Sequence, residues 1–477
     1  MSEIVSSVPS GQFIGGEWIE APDSFPVFDP ATGDEIARVA DGGPETALAA
    51  LTAAHEAQAE WAATDPRRRT ELLRTAFEII IERKEEFARL ITLEMGKPLA
   101  EARGEVDYGA EFLRWFADIG AQTSGRFTRS PSGQLRILTT KQPVGPVLAI
   151  TPWNFPLAMG TRKIAPALAA GCTVVLKPAS ATPLTSLLFL EVLREAGLPA
   201  GVVNCFTTSR SGDATRSLLS DPRLRKLTFT GSTEVGVALA KAAAGRMLRT
   251  SLELGGNAPV IVCADADLDV AVPGAAAAKL RNVGEACTAA NRFLVHESLA
   301  EEFTDRLVTH FESLKLGAGL DADTDIGPLI DRAALDNCER LVADAESRGA
   351  RVRCGGSSVG NCWQPTLVTD VPDAAAMWQE EIFAPIAPVQ TFSDIDDAVH
   401  RANSTDAGLI SYLFTRDVAS GLRISEALES GLVGLNAGVI SNPAAPFGGV
   451  KMSGLGREGS FEGIEEYLST KYIGMPM

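Results

Sequence analysis

The chain has 477 residues, 45% hydrophobic and 22% charged, with a formal net charge of −18 at pH 7. This is the composition of a soluble globular protein long enough for two or three domains, and it excludes fibrous and disordered classes. The negative balance argues against nucleic acid and against an anionic membrane surface as partners.

The opening MSEIVSSVPSGQFIGGEW has neither a basic start nor an apolar stretch of signal length, and no run of about 18 apolar residues follows. A cytoplasmic protein without a membrane partner is the expectation. Cysteines stand at 172, 205, 263, 287, 338, 354 and 362, an odd set without CxxC spacing. They read as reduced thiols, and no metal site is expected.

Residues 45 to 120 carry apolar positions at three- and four-residue spacing and predict helices. The polar stretch Arg129–Pro143 predicts a projecting hairpin. Around it, GPVLAIT, TVVLKP, GVVNCFT, KLTFTG and SLELGG are short β-branched runs separated by helical segments. Such alternation predicts a parallel sheet covered on both faces. After Cys287 a second set, RFLVHE, PIAPVQTF, ISYLFT and SGLVGLNA, predicts a second α/β domain.

Ligands of open parallel sheets gather at the carboxyl ends of the strands. The loops there hold the carboxamide of Asn154 in PWNFP, then Lys177 and Ser180, then Gly231 and Ser232 in GSTEVG. GSTEVG is neither a G-x-G-x-x-G fingerprint nor a Walker A loop, and reads either as a phosphate-holding helix start or as an ordinary cap. Glu253 ends an apolar strand, where burial would raise its pKa toward that of a general base; a salt bridge is the plainer reading. Cys287 alone would read as a small buried hydrophobe. Cysteine, glutamate and an amide donor together are what thioester chemistry on a carbonyl requires.

TPWNFPLAMGTRKIAPALAAGCTVVLKPAS, FTGSTEVG, LELGGNAP, GEACTAANRF, EEIFAP and PFGGVKMSGLGREG, in this order over nearly the whole chain, resemble the aldehyde dehydrogenase superfamily. The resemblance implies an α/β fold of three parts: a Rossmann-like cofactor domain (1–128 and 144–254), a catalytic domain (255–446) and a small β oligomerisation element (129–143 and 447–477). It implies Cys287 as nucleophile, Glu253 as base, and Asn154 with the Cys287 N–H as oxyanion hole. The cofactor residues it implies are Thr151, Pro152, Trp153, Lys177, Ser180 and Gly201, followed by Gly231, Ser232, Val235, Glu381 and Phe383. Lys177 and Ser180 would face the adenosine ribose, Ser232 the pyrophosphate, and Glu381 and Phe383 the nicotinamide ribose. Glu285 stands where many members have glutamine, and the expectation is a side chain directed away from the thiol.

Arg162, Arg281 and Ser441 fall where succinate-semialdehyde dehydrogenases carry a carboxylate-binding trio, although each arginine alone reads as a surface or salt-bridged residue. Two guanidiniums and a hydroxyl suit a short semialdehyde acid, with glutarate semialdehyde, one methylene longer, as nearest competitor. A superfamily member for neutral or cationic aldehydes and a non-catalytic cofactor-binding protein are the rival readings. Six helical residues turn about 600°, so Arg281 and Cys287 share a site only if the chain breaks near Gly284. A glutamate at Ser180 would bind the ribose hydroxyls of NAD and repel a 2′-phosphate; serine there, with Lys177 charged, implies NADP as preferred cofactor and NAD as second. A homodimer or homotetramer, crossed by the hairpin and the C-terminal GIEEYLSTKY, is expected from the resemblance.

Overall fold

The computed structural model describes residues 2–477; Met1, at the head of the opening stretch, lies outside the described residues. The predicted helical region forms α1 (Pro44–Ala63), α2 (Pro66–Glu82), α3 (Lys84–Met95) and α4 (Leu99–Ile119). Proline opens the first two, where the missing N–H has no intrahelical partner to lose.

The expected parallel strands follow: β1 (Val147–Ile150), β2 (Val174–Lys177), β3 (Val203–Cys205), β4 (Lys226–Thr230) and β5 (Arg249–Glu253). The first four are buried along their whole length, as continuous apolar runs covered on both faces must be. Their order in the sheet is β3-β2-β1-β4-β5, flanked by a hairpin of Gln12–Ile14 and Glu17–Ile19 and by Gly454–Leu455. The direction of winding reverses between β1 and β4, which opens a crevice at their carboxyl ends. Register sets the rim: Ile150 pairs with Lys177 and Phe229, and Thr230 with Glu253.

Gly201 does not belong to that rim. It precedes β3 and so lies at the amino end of the sheet, where a Cβ would meet the carbonyl of Ala53 on α1 at 2.8 Å. The glycine allows a helix and a turn to touch, and its expected cofactor role is corrected to packing.

The second sheet has seven strands in the order Arg351–Cys354, Thr366–Thr369, Ile386–Phe392, Ala290–His296, Ala258–Val262, Ile410–Phe414 and Leu432–Leu435. The three not singled out by the sequence are Ala258–Val262, which follows β5 without an intervening helix, and the short Arg351–Cys354 and Thr366–Thr369. Most buried apolar residues between Ala258 and Leu428 share one hydrophobic core, while Ala286 and Ala289 pack instead with Phe155, Ala158 and Met159.

Arg126–Arg129 and Leu135–Pro143 form the predicted hairpin, which begins three residues earlier than expected. The C-terminal part of the expected bridging element is divided. Gly454–Leu455 pairs with β5, the helix Ser460–Glu465 contributes Ile464 to the hydrophobic core that the N-terminal helices share with the first sheet, and Leu468–Pro476 alone pairs with the hairpin. Among the described residues no helix is long and apolar enough to cross a membrane, and no group of His, Cys, Asp or Glu could hold a metal.

Candidate active site

α5 (Ala158–Ala170) follows the PWNFP loop and is buried throughout. It packs on α4 at Gly109, where a Cβ would lie 3.2 Å from the Cα of Ala158. This close approach sets Tyr108 of α4 beside Arg162 of α5, the phenol oxygen 3.5 Å from Nη1. α6 (Thr233–Ala244) starts directly after β4; Ser232 caps it by accepting from the Val235 N–H, and Val235 is exposed.

The break that exposes Cys287 comes at the end of α7 (Leu268–Leu280). It starts sooner than expected: Asn282 and Val283 are already left-handed, each with φ 57, before Gly284 at φ 77. A β-branched residue in that region costs about 1–3 kcal/mol, and the surroundings must over-determine it. Asn282 does much of this, since its N–H donates to Glu101 Oε2 at 2.7 Å and its side-chain amide donates to the carbonyls of Asn154, 3.2 Å away, and Glu285, 2.8 Å away. On the far side of the thiol, a Cβ at Gly256 would lie 2.4 Å from the Cys287 carbonyl, so only glycine admits this approach.

Cys287 opens into a cavity of about 280 Å³ at the carboxyl rim of the first sheet. Of the expected residues, the structure brings together Asn154, Arg162, Arg281 and Ser441 around the thiol. Pro152, Trp153, Gly231, Ser232, Glu381 and Phe383, expected on the cofactor, line the same cavity. Trp153 and Phe383 meet edge to face at 5.6 Å, and Phe383 is left-handed at φ 52. Thr151 lies just behind, its N–H donating to the Lys177 carbonyl at 3.2 Å. Lys177, Ser180, Val235 and Glu253 are not in the cavity wall. Ser180 is exposed at the rim, whereas Lys177 is buried, and burial lowers its pKa to about 8.

Burial pushes the Cys287 thiol up to about 12, with the charge of Arg162 pulling the other way. Glu381 accepts from the Gly256 N–H at 3.1 Å, and burial raises its pKa to about 7. Glu253 is buried with no hydrogen-bond partner on either oxygen; burial, then the charge of Glu458, raises its pKa well above the usual range. Glu285 is fully buried, with Oε1 accepting from the Ile330 N–H at 3.1 Å and Oε2 without a hydrogen-bond partner.

Arg162 and Arg281 differ. Arg162 lines the cavity, yet its Nε donates to Glu458, whose other oxygen accepts from Lys163 at 2.5 Å. Burial opposes ionisation of Glu458, but the two cations outweigh it and hold its pKa low. The Arg281 side chain makes no hydrogen bond or salt bridge among the described residues; it lies over the rings of Phe155, at 5.2 Å, and Tyr108, at 5.8 Å, and its charge lowers the pKa of the buried Glu101 carboxyl against the stronger effect of burial. Sequence reasoning missed Tyr108, Phe155, Lys163, Asn282 and Glu458. A signal existed for Glu458, a lone carboxylate in a glycine-rich motif, as Glu253 is in LELGG.

The crevice suits a dinucleotide. Helix α6 presents its first N–H groups at the rim, Gly231 keeps the approach open, and the exposed Val235 offers an apolar face. The family described as "Aldehyde dehydrogenase family" matches residues 18–473. A succinate-semialdehyde dehydrogenase of Paenarthrobacter nicotinovorans is 56% identical over 92% of this chain and 98% of its own. The NADP(+) succinate-semialdehyde dehydrogenase GabD of Escherichia coli (strain K12) is 48% identical over 96% of each chain. A crystal structure titled as an E. coli NADP dependent enzyme superposes with a TM-score of 0.97 at 47% identity, covering 98% of both chains. A match of this extent, on a fold that carries a thiol, a buried carboxylate and an amide donor at one sheet rim, makes the chain a member of the aldehyde dehydrogenase family.

Proposed function

We propose that the protein oxidises succinate semialdehyde to succinate, with NADP as preferred cofactor and NAD as second. The observation that carries the substrate is Arg281, an unpaired guanidinium held over two aromatic faces in the cavity that holds Cys287. Beside a nucleophile, a guanidinium that forms no salt bridge and feels Glu101 only through its charge suits a substrate that brings its own carboxylate. Arg162 and Ser441 line the same cavity, and the relatives named above act on this semialdehyde by their names.

In this reading the Cys287 sulfur attacks the aldehyde carbon, and its proton passes to water in the cavity and so to solvent as the bond forms. The carbonyl oxygen becomes an oxyanion held by the Asn154 amide and the Cys287 N–H. A nicotinamide cofactor, held by Trp153, Ser232, Glu381 and Phe383, supplies the hydride acceptor when bound. The acyl group is left on Cys287 as a thioester. Glu253 then takes a proton from the water that hydrolyses it, and the acid is released. NADP preference is supported by Ser180, whose short neutral side chain leaves room for a 2′-phosphate, and by Lys177 as the adjacent cation.

Steady-state kinetics on an aldehyde panel with each cofactor tests this. Succinate semialdehyde should have the highest kcat/KM, glutarate semialdehyde should follow within roughly 10–200-fold, and butanal should lie far below. Butanal matching the semialdehyde would overturn the substrate assignment. The seven free cysteines suit a reducing cytoplasmic setting. Exposed Phe127, Leu135, Tyr472 and Ile473 on the three-stranded sheet support a homodimer or homotetramer, which light scattering would measure.

A further inference from the structure

Arg162 stands between the substrate cavity and a buried cluster of charge. Its Nε is committed to Glu458, its guanidinium lies 4.0 Å over the ring of Phe447, and it is 2% exposed. Glu458 is clamped in turn. Its N–H donates to the Phe447 carbonyl at 2.7 Å, the Phe447 N–H donates back at 2.8 Å, and Lys163 holds its second oxygen. Glu253 abuts the same strap, because a Cβ at Gly448, the residue after Phe447, would lie 3.0 Å from its Oε1.

No hydrogen bond supports Glu253, so its ionised form depends on surrounding charge. The groups that face it are Glu458, Arg162, Lys163 and Arg457, together with the Cys287 thiol. Arg162 and Lys163 set two cations against the one anion of Glu458. That leaves a single positive charge for Glu253 to balance. Arg457 is partly exposed, donates to the carbonyls of Gly449 and Gly456, and is screened by solvent.

We propose that Arg162 is a positioning residue for the base as well as a wall of the substrate cavity: by taking up the distal carboxylate of the aldehyde it passes the substrate's charge to Glu253, which becomes harder to ionise with an anionic aldehyde than with a neutral one. This rests on the semialdehyde reading, in which the carboxylate meets Arg162. An added anion cancels the charge that Glu253 would otherwise balance. A unit charge about 10 Å away at an effective dielectric of about 20 moves a titration by about one pH unit. Arg281, which has no link to Glu458, carries no such coupling.

The test is the pH dependence of acyl-enzyme hydrolysis, followed after the burst of reduced cofactor, with succinate semialdehyde and with butanal on the intact enzyme. The acid limb should lie about one pH unit higher for the semialdehyde. Arg162→Met should move both limbs upward, because its charge acts on Glu253 with either aldehyde, while Arg281→Met should raise the semialdehyde KM and leave both limbs in place. Coincident limbs in the unmodified enzyme, a comparison that needs no variant to fold, would overturn the proposal even if both arginines proved necessary for a low semialdehyde KM. If instead neither substitution changed that KM, the semialdehyde reading itself would fall, and the coupling with it.

Discussion

Asn154 donates from its side-chain amide to the main-chain carbonyl of Glu285, 2.9 Å away and two residues before Cys287. One N–H is thereby fixed to the thiol loop and the other remains for an oxyanion. The amide does not flip, because its oxygen would then face the Glu285 carbonyl. Asn154→Ala should lower kcat by about 10²–10³, with little change in KM, as removal of one oxyanion donor does. Rapid-quench measurement of the first turnover checks it, because the loss should fall on formation of the acyl-enzyme.

Cys287→Ala should abolish oxidation and leave cofactor binding intact. Glu253→Gln should give a single burst of reduced cofactor followed by a stalled acyl-enzyme, visible by intact-mass spectrometry as an adduct on Cys287. Normal turnover by the alanine variant would contradict the assignment of the nucleophile.

Arg281→Ala should cost about 2–4 kcal/mol in kcat/KM for succinate semialdehyde, mainly through KM, since charge distant from the reacting carbon binds ground and transition states alike. Butanal oxidation should barely change. Equal losses on both substrates would make Arg281 structural, with its stacking on Phe155 and Tyr108 as the reason.

Cofactor preference is tied to Lys177, whose pKa burial lowers to about 8. A 2′-phosphate beside it would favour the ammonium and raise that value, so NADP binding at pH 8 should take up about half a proton, whereas at pH 6.5, with Lys177 already charged and the phosphate's second pKa at about 6, it should release a fraction of one. NAD should take up little at either pH. Calorimetry in two buffers of different ionisation enthalpy reads the difference directly. Ser180→Glu should shift preference toward NAD by adding a carboxylate that repels the phosphate.

Glu285 offers a test in stability. Burial raises its pKa well above the usual range, so the folded chain keeps a proton that the unfolded chain releases above about pH 4.3. Its contribution is full below that pH and is lost as pH rises toward the folded pKa. Glu285→Gln removes this dependence. The variant's melting temperature relative to the parent should therefore be higher at pH 8 than at pH 5, by scanning calorimetry at both.

The alternation of apolar strands and helices, the motif order, and the placing of Cys287, Glu253 and Asn154 near one sheet rim were legible in the sequence. Strand periodicity is local, and a carboxylate or carboxamide at a strand end is forced toward the rim once the strand is parallel and buried. The break before Cys287 was legible too, although its start at Asn282 was not. Left-handed Asn282 and Val283 are held by partners on other segments, Glu101 on α4 and Asn154 after β1. Gly201 stood near a strand, and only the direction of β3 decided that it lies at the wrong end of the sheet. The difference between the two arginines was likewise invisible. Arg162 is ion-paired with a glutamate 296 residues away and Arg281 lies over two rings without a salt bridge, because long-range packing, not local pattern, decides which charges meet.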